Sequence, residues 1–305
     1  MRTRRSPRTL AFAGVAALCT AALLGYGVVP GGLGVVLAIA APWLGIPVAL
    51  LALVALVCRC PGGVAALVIP LLAWAQLFGA WVAPAVRAAP EPGQIRVVTQ
   101  NLFAANGSPA ATAHALAATG ADLIGVQELT GESRDEVRRV LDAAYPHRTE
   151  VGTVALWSRY PITGTSVADV GLDWDRGLRA QVRIPDGELA VYVVHLPSIR
   201  PWDTGTRDRG LSTLSRQLDA DPAARVIVAG DFNTASTDRN WPGFAPGYQR
   251  TLDIAAPGAN FTWPAALPLT RLDHILVRGF AVGTASVLRL PGPDHRAVAA
   301  RLTPV

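Results

Sequence analysis

The chain has 305 residues, 51% of them hydrophobic, and sets 27 basic side chains, all arginine, against 22 acidic ones. A pI near 9.6 invites a nucleic-acid partner, but residues 1–90 hold Arg2, Arg4, Arg5, Arg8, Arg59 and Arg87 with no acid, and the 27 less those six leave 21 bases against 22 acids. A nearly neutral remainder argues against a nucleic-acid-tracking surface, which needs a basic face, and with Cys19, Cys58 and Cys60 all near the front it depends on no disulfide.

From Thr9 to Cys58 there is no charged side chain, and from Cys60 to Val86 again none. About twenty apolar residues cross a ~30 Å hydrocarbon core as a helix. Turn residues at Pro30-Gly31-Gly32 and at Arg59 to Gly63 divide the region into three predicted spans, Thr9–Val29, Leu33–Val57 and Val64–Val86, with Pro42 and Pro47 as kink sites in the second. A cleaved secretory signal is the alternative for the first span, and two further spans would still hold the chain in the membrane bilayer. Arginines at the start and at position 59, with none in the first turn, put the amino terminus and the second turn in the cytoplasm, and three crossings then leave the region after the spans outside the plasma membrane. Trp43, Trp74 and Trp81 are interfacial anchors or packing residues. The predicted organisation is a membrane anchor over 1–86, a Pro-containing linker over 87–94 and one domain over 95–305.

In that domain, Ile95–Thr99, Leu123–Gln127, Val154–Trp157, Arg179–Ile184, Leu189–Val194, Val226–Gly230, His274–Val277 and Ala297–Leu302 read as strands rich in Val and Ile. Ala110–Thr119, Arg134–Ala143 and Thr206–Ala220 read as helices. Successive strands with few helices between them imply antiparallel pairing in a mixed, sandwich-like α/β fold.

Asn101, Glu128, His195 and Asp231 follow or close predicted strands, so a shared rim would bring them together. Glu128 with Asn101 offers the sparse oxygen set that suits Mg²⁺, which keeps waters and completes its shell with phosphate oxygens. No His-Glu-x-x-His spacing supports zinc. Asp231 can accept a proton from a water that Asn233 orients, and His195 and His295 can donate where negative charge grows. Singly, each has a plainer reading: Asp231, Asn101 and Asn233 as turn residues, Glu128 as a solvated helix start, Asp273 and Asp294 as loop carboxylates, His195 and His295 as ordinary strand-end and loop histidines. His274, beside Asp273 in an alternating strand, should face the other way and be structural. His114 and His147 should face solvent.

The clusters Gln-Asn-Leu, Val-Gln-Glu-Leu, His-Leu-Pro, Gly-Asp-Phe-Asn-Thr, Thr-Trp-Pro with Arg-Leu-Asp-His-Ile-Leu, and Asp-His-Arg-Ala-Val stand in the order that resembles the endonuclease/exonuclease/phosphatase superfamily. The resemblance implies a four-layer α/β/β/α sandwich of two mixed sheets and Mg²⁺- or Mn²⁺-assisted phosphoester hydrolysis. It implies metal roles for Asn101, Glu128 and Asp294. Asp231 would activate water and Asn233 would steady the phosphate or water. His295 would face the scissile phosphate, oriented by Asp273, and His195 would be a second phosphate-facing histidine. Arg176 and Arg207 are the expected substrate anchors, against an ion-paired surface as the plainer alternative. Trp202, Trp241 and Trp263 would shape a rim, with core packing the default for Trp263.

Three spans joined to such a domain resemble the teicoplanin-resistance membrane proteins of actinomycetes, which implies cell-wall and antibiotic-resistance chemistry. The expected function is extracytoplasmic hydrolysis of a phosphorylated membrane lipid or polyprenyl pyrophosphate. The rivals are an extracytoplasmic nuclease and a non-catalytic membrane adaptor. Oligomeric state is open.

Overall fold

A computed structural model describes residues 6–82, 93–199, 203–256 and 258–305, the side chain of Glu132 excepted. The chain divides into two compact units, an amino-terminal helical one and one formed mainly by the rest. In the first, helices α1 (Pro7–Gly25), α2 (Gly31–Ala40), α3 (Gly45–Val57) and α4 (Pro61–Phe78) follow one another. Three helical stretches, Pro7–Gly25, Gly31–Val57 and Pro61–Val82, are long and apolar enough to cross a membrane. Ser6 caps α1 by accepting from the Thr9 N–H, ahead of Pro7 in the first turn. The expected irregularity of the middle stretch is a 3₁₀ turn over Ala41–Leu44, where Trp74 Nε1 donates to the Pro42 carbonyl at 2.7 Å. Leu18, Leu24, Leu50 and Leu72 are exposed on the helices, as lipid-facing side chains are. The end of the third predicted span at Val86, and most of the linker, lie outside the described residues, as does Trp202.

The second unit is built from two six-stranded mixed sheets. The first contains β1 (Ile95–Asn101), β2 (Leu123–Gln127), β3 (His147–Val151), β4 (Val154–Ser158), β11 (Phe280–Leu288) and β12 (Ala297–Pro304), ordered β11-β12-β1-β2-β4-β3. The second contains β5 (Ile162–Val167), β6 (Gly177–Ile184), β7 (Gly187–His195), β8 (Val226–Asp231), β9 (Gln249–Arg250) and β10 (Asp273–Arg278), ordered β5-β6-β7-β8-β10-β9. Each sheet has a parallel pair, β1 with β2 and β7 with β8, and antiparallel neighbours around it. Helix α5 (Pro109–Ala118) makes the first parallel crossover and α7 (Gly205–Ala220) the second, because parallel strands need a long connection.

Alternation makes the layers. Val97, Leu123, Leu156, Val191, Ile227, Ile275 and Val298 meet between the sheets. Val98, Ile124 and Ala155 face outward under Leu116 of α5 and Val137 of α6 (Gly131–Leu141). Tyr192, Val194 and Val228 face the other way under Leu211, Leu214 and Leu218 of α7. The result is the four-layer α/β/β/α sandwich. A short α8 (Thr251–Ala255) follows β9.

Beneath α7, Asp221 takes a two-pronged contact from Arg179, Nε to Oδ2 at 2.6 Å and Nη2 to Oδ1 at 3.1 Å, and a bond from Tyr192 Oη at 2.5 Å. Burial opposes the Asp221 carboxylate, but these donors outweigh it and hold its pKa down at about 2. A depressed carboxylate stabilises the fold above its ordinary value near 3.8 and loses that contribution as pH falls through about 2. The shift corresponds to about 2 kcal/mol. Asp221→Asn should therefore lower the unfolding temperature at pH 6 and flatten its decline between pH 4 and 2, measured by thermal unfolding in detergent. An unchanged acid limb would remove Asp221 from that account.

Candidate active site

The parallel pairs explain why distant residues meet. Asn101 closes β1, Glu128 follows β2, His195 closes β7 and Asp231 closes β8, so all four lie at carboxyl ends of parallel strands. The antiparallel neighbours begin at the same rim: Asp273, first in β10, is in register with Asp231, and His295 lies just before β12. His195 and Asp231 are also register partners across β7 and β8.

The local backbone is unusual. Phe103, Glu128 and Asn233 have φ of 62°, 57° and 46°, a left-handed region that costs about 1–3 kcal/mol for non-glycine residues and clusters at functional sites. Gly230 lets β7 approach β8 at the residue before Asp231: a Cβ there would lie 1.9 Å from the Val194 carbonyl oxygen.

Asn101 ties the first carboxylates together. Its Nδ2 donates to Glu128 Oε1 at 3.2 Å and Asp231 Oδ2 at 3.0 Å, while its Oδ1 accepts from the Phe103 N–H at 2.9 Å. It thus presents its amide nitrogen, not its oxygen, to the site. The Ala104 N–H bonds Glu128 Oε2 at 2.7 Å. Asp231 Oδ1 accepts from the Asn233 N–H at 2.8 Å, and Asn233 Nδ2 donates to the Leu196 carbonyl at 2.9 Å. His295 Nδ1 is 2.8 Å from Asp273 Oδ2, and its Nε2 is 3.8 Å from Asp231 Oδ2. Gln100 Nε2 holds the His295 carbonyl at 3.2 Å, so the residue before Asn101 positions the loop that carries His295.

The two histidines sit in opposite electrostatic settings. Burial lowers His195 to about 3, with Arg176 and His295 adding to the effect and Asp231 only partly opposing it. Its approaches to Asp231 (3.6 Å) and Glu128 (3.8 Å) are therefore contacts of a neutral ring, not ion pairs. His295 is also penalised by burial, yet the charges of Asp273 and Asp231 outweigh that and raise it to about 10. Burial raises Asp231, and Asp273 adds to the rise against the pull of His295.

Arg176 closes the site from the loop before β6: its Nη2 lies against the His195 ring and its carbonyl accepts from the His195 N–H at 2.8 Å. Arg207 is elsewhere. Expected as a substrate anchor, it is 1% exposed, bonds Asp208 through Nε at 2.8 Å and reaches Thr234 Oγ1 through Nη1 at 3.2 Å. The reason is helical spacing, since Arg207, Leu211, Leu214 and Leu218 form one buried stripe of α7. It braces the turn after Asn233 from behind. The Asp294 carboxylate accepts from Trp263 Nε1 at 3.4 Å, and the half-buried Trp263 ring stands 6.5 Å from His295.

His274 points away from Asp273, buried against Trp241 at 4.0 Å with Nε2 3.2 Å from the Thr234 carbonyl. Trp241 is likewise buried; His114 is exposed and His147 half-buried. Thr262 is the site residue missed in the sequence. Its Oγ1 accepts from the Leu272 and Asp273 N–H groups at 3.0 and 3.2 Å, and the Thr-Trp-Pro stretch was the signal for it.

The donor set fits a hard cation. Asp231 and Asp273 present carboxylate oxygens within 4.8 Å of each other, with the cationic His295 ring inside the same distance as a neighbour and not a ligand, and the carboxylates of Glu128 and Asp231 flank Asn101. Asp273 Oδ1 is buried without a hydrogen-bond partner, and Asp231 is buried beside a second carboxylate, both conditions that a cation relieves.

A sequence model of the endonuclease/exonuclease/phosphatase family matches residues 98–300, most of the sandwich and every residue of this rim. The chain belongs to that family. Members of the family are phosphoester hydrolases that generally use divalent metals. Among solved structures, D. rerio TDP2 complexed with single-strand DNA product is similar at TM-score 0.60 and 17% identity, over 69% of this chain and 99% of that one. A Bacteroides thetaiotaomicron endonuclease/exonuclease/phosphatase family protein matches at TM-score 0.56 and 17% identity, over 70% and 96%. Staphylococcus aureus beta toxin matches at 0.54 and 15%, over 68% and 99%. At these identities the likeness is one of fold. No curated protein matches the sequence.

Proposed function

We propose that the protein is a membrane-anchored, extracytoplasmic, divalent-metal phosphohydrolase acting on a phosphoester or pyrophosphate bond of a membrane lipid or polyprenyl pyrophosphate. The observation that carries the reaction is the convergence of Glu128, Asp231, Asp273 and His295 at one rim of a family fold. The membrane substrate rests on the three apolar helices, and the outside location on arginine placement.

Glu128 and the unpartnered Asp273 Oδ1 would hold Mg²⁺ or Mn²⁺, which would supply stabilisation of negative charge on phosphoryl oxygens. The chain's own groups divide the remaining work. Asp231, raised by burial, takes the proton of an attacking water, for which a carboxylate moved toward neutral pH is better suited. Asn233, its Nδ2 held by Leu196, offers its amide oxygen to orient that water. His295 stays cationic through neutral pH and donates from Nε2 to a phosphoryl oxygen while Asp273 fixes the ring. His195 remains neutral, and Arg176 beside it supplies the second positive charge toward the phosphate.

The test is product release by the detergent-solubilised full chain from a panel of lipid phosphates, polyprenyl pyrophosphate, inositol phosphates and DNA. Turnover of a lipid substrate, abolished by chelation and restored by Mg²⁺ or Mn²⁺, is the expected result. Cleavage of DNA with lipid phosphates left intact would replace this reading with a nuclease. No turnover of any member would return the protein to the adaptor reading.

A further inference from the structure

Away from the catalytic rim, the outer face of the first sheet holds a groove of about 510 Å³ between α5 and the β11–β12–β1 edge. The register sets its chemistry. Arg96 of β1 and Arg301 of β12 are direct cross-strand partners, and Thr284 of β11 pairs with Arg301 on its other side. Ile95, Val97, Ala300 and Leu302 belong to the core between the sheets, so alternation sends both arginines outward. Further along the groove lie Val98, Leu288 and Ala118 of α5, which make its floor and wall apolar.

Like charges directly opposite in a ladder destabilise it. Several arginines of the unit meet acids, as Arg179 meets Asp221, Arg138 meets Glu150, Arg148 meets Asp142 and Arg183 meets Glu188, and others such as Arg225 and Arg278 bond backbone carbonyls. Arg96 and Arg301 have no side-chain ion pair or hydrogen bond among the described residues. Asp122, the acid beside Arg96, is held by its backbone N–H at 2.8 Å. Two guanidinium forks with no side-chain partner among the described residues, at the head of an apolar groove, match a ligand with an anionic, multi-oxygen head and an apolar tail. The volume falls within the range of small-ligand sites, about 300–1,000 Å³.

We propose that this groove binds one anionic phospholipid of the bilayer that anchors the chain, with its phosphate between Arg96 and Arg301 and the start of an acyl chain along Val98 and Leu288. The sequence favours a lipid over a free anion. Arg96 follows Val82, the last residue of the third apolar stretch, by fourteen residues, a tether of at most roughly 50 Å. Headgroups are thereby held at high effective concentration. The inference rests on the membrane tether and not on the hydrolytic chemistry, and the groove lies along the strands from Asn101, away from the reacting groups.

The test uses the full chain in a neutral detergent, titrated with short-chain phosphatidylglycerol, short-chain phosphatidylcholine and inorganic phosphate, and read by calorimetry. Saturable one-site binding of phosphatidylglycerol is expected, weakened about tenfold or more in Arg96→Gln/Arg301→Gln. Ala118→Leu, which fills the groove, should also weaken it. The exposed single change Arg96→Gln serves if the double variant fails to fold, and thermal unfolding of each variant reports that directly. Equal binding of phosphatidylcholine, or binding indifferent to both arginine variants, overturns the proposal by assigning the lipid to the helices. Inorganic phosphate binding as tightly as phosphatidylglycerol, unaffected by Ala118→Leu, overturns the lipid in favour of a free anion. Binding is read without turnover, so its failure is distinct from a failure of the hydrolase reading.

Discussion

Asp231→Asn is expected to remove hydrolysis by roughly 10²–10⁴-fold while leaving the fold near its original stability. The two effects separate because of where the carboxylate sits. Asp231 is buried between two histidines, in register with Asp273, and burial and that second carboxylate both work against its charge. An amide keeps the shape and can still accept from the Asn233 N–H through Oδ1, but it cannot take a proton from water. Against the relief of charge stands one new conflict, since Asn101 Nδ2 now donates to Asp231 Oδ2 and would meet an amide nitrogen or force it to turn. These terms oppose one another, so the unfolding temperature should move by no more than a few degrees, about 1 kcal/mol. Product release and thermal unfolding on the same preparation check both halves. Full activity in the variant would take the base role from Asp231, and loss of fold with loss of activity would make it a structural residue.

The sequence made the centre of the sandwich legible and its margins illegible. All eight foreseen strands form, each within a few residues of its observed ends, because they are buried and carry dense Val and Ile patterns. The four strands without a sequence signal, β3, β5, β9 and β11, are the four sheet edges. An edge strand has one ladder neighbour and less burial, so its side chains need not alternate. β5 and β11 also carry irregularities in register, at Ile162/Gly164 and Val282/Thr284, which blur period two further.

Within the site, strand ends pointed to Asn101, Glu128, His195 and Asp231, residue type added His295, the family resemblance added Asp273, and the rim brings them together. What the sequence could not supply was direction. Arg207 reads as a free cation at a helix start until its place on the Leu211–Leu214–Leu218 stripe is counted. The opposite protonation of His195 and His295 depends on neighbours from four different elements, and no local pattern encodes it.

The largest loss of stability is expected from His295→Ala, measured with chelator present so that no cation compensates. Asp273 is fully buried, its Oδ1 already lacks a partner, and Oδ2 is held by His295 Nδ1. Removing the imidazolium leaves a buried carboxylate with neither oxygen paired on its side chain, and breaking such a pair costs about 3–5 kcal/mol. For a domain of this size that lowers the unfolding temperature by roughly 10 °C. Adding Asp273→Asn to His295→Ala should recover part of the loss, because a neutral amide is cheaper to bury than a lone charge, and the cycle should show a coupling of about 1–3 kcal/mol. The pH dependence has a definite sign. His295 is raised to about 10 from 6.5, so its contribution is complete below pH 6.5 and is lost as pH rises through about 10. Wild-type unfolding temperatures should accordingly fall between pH 7 and 10.5, and the alanine variant should lack that limb. Parallel curves for the two proteins, or additive effects in the cycle, would show that the His295–Asp273 contact does not hold the charge the geometry gives it.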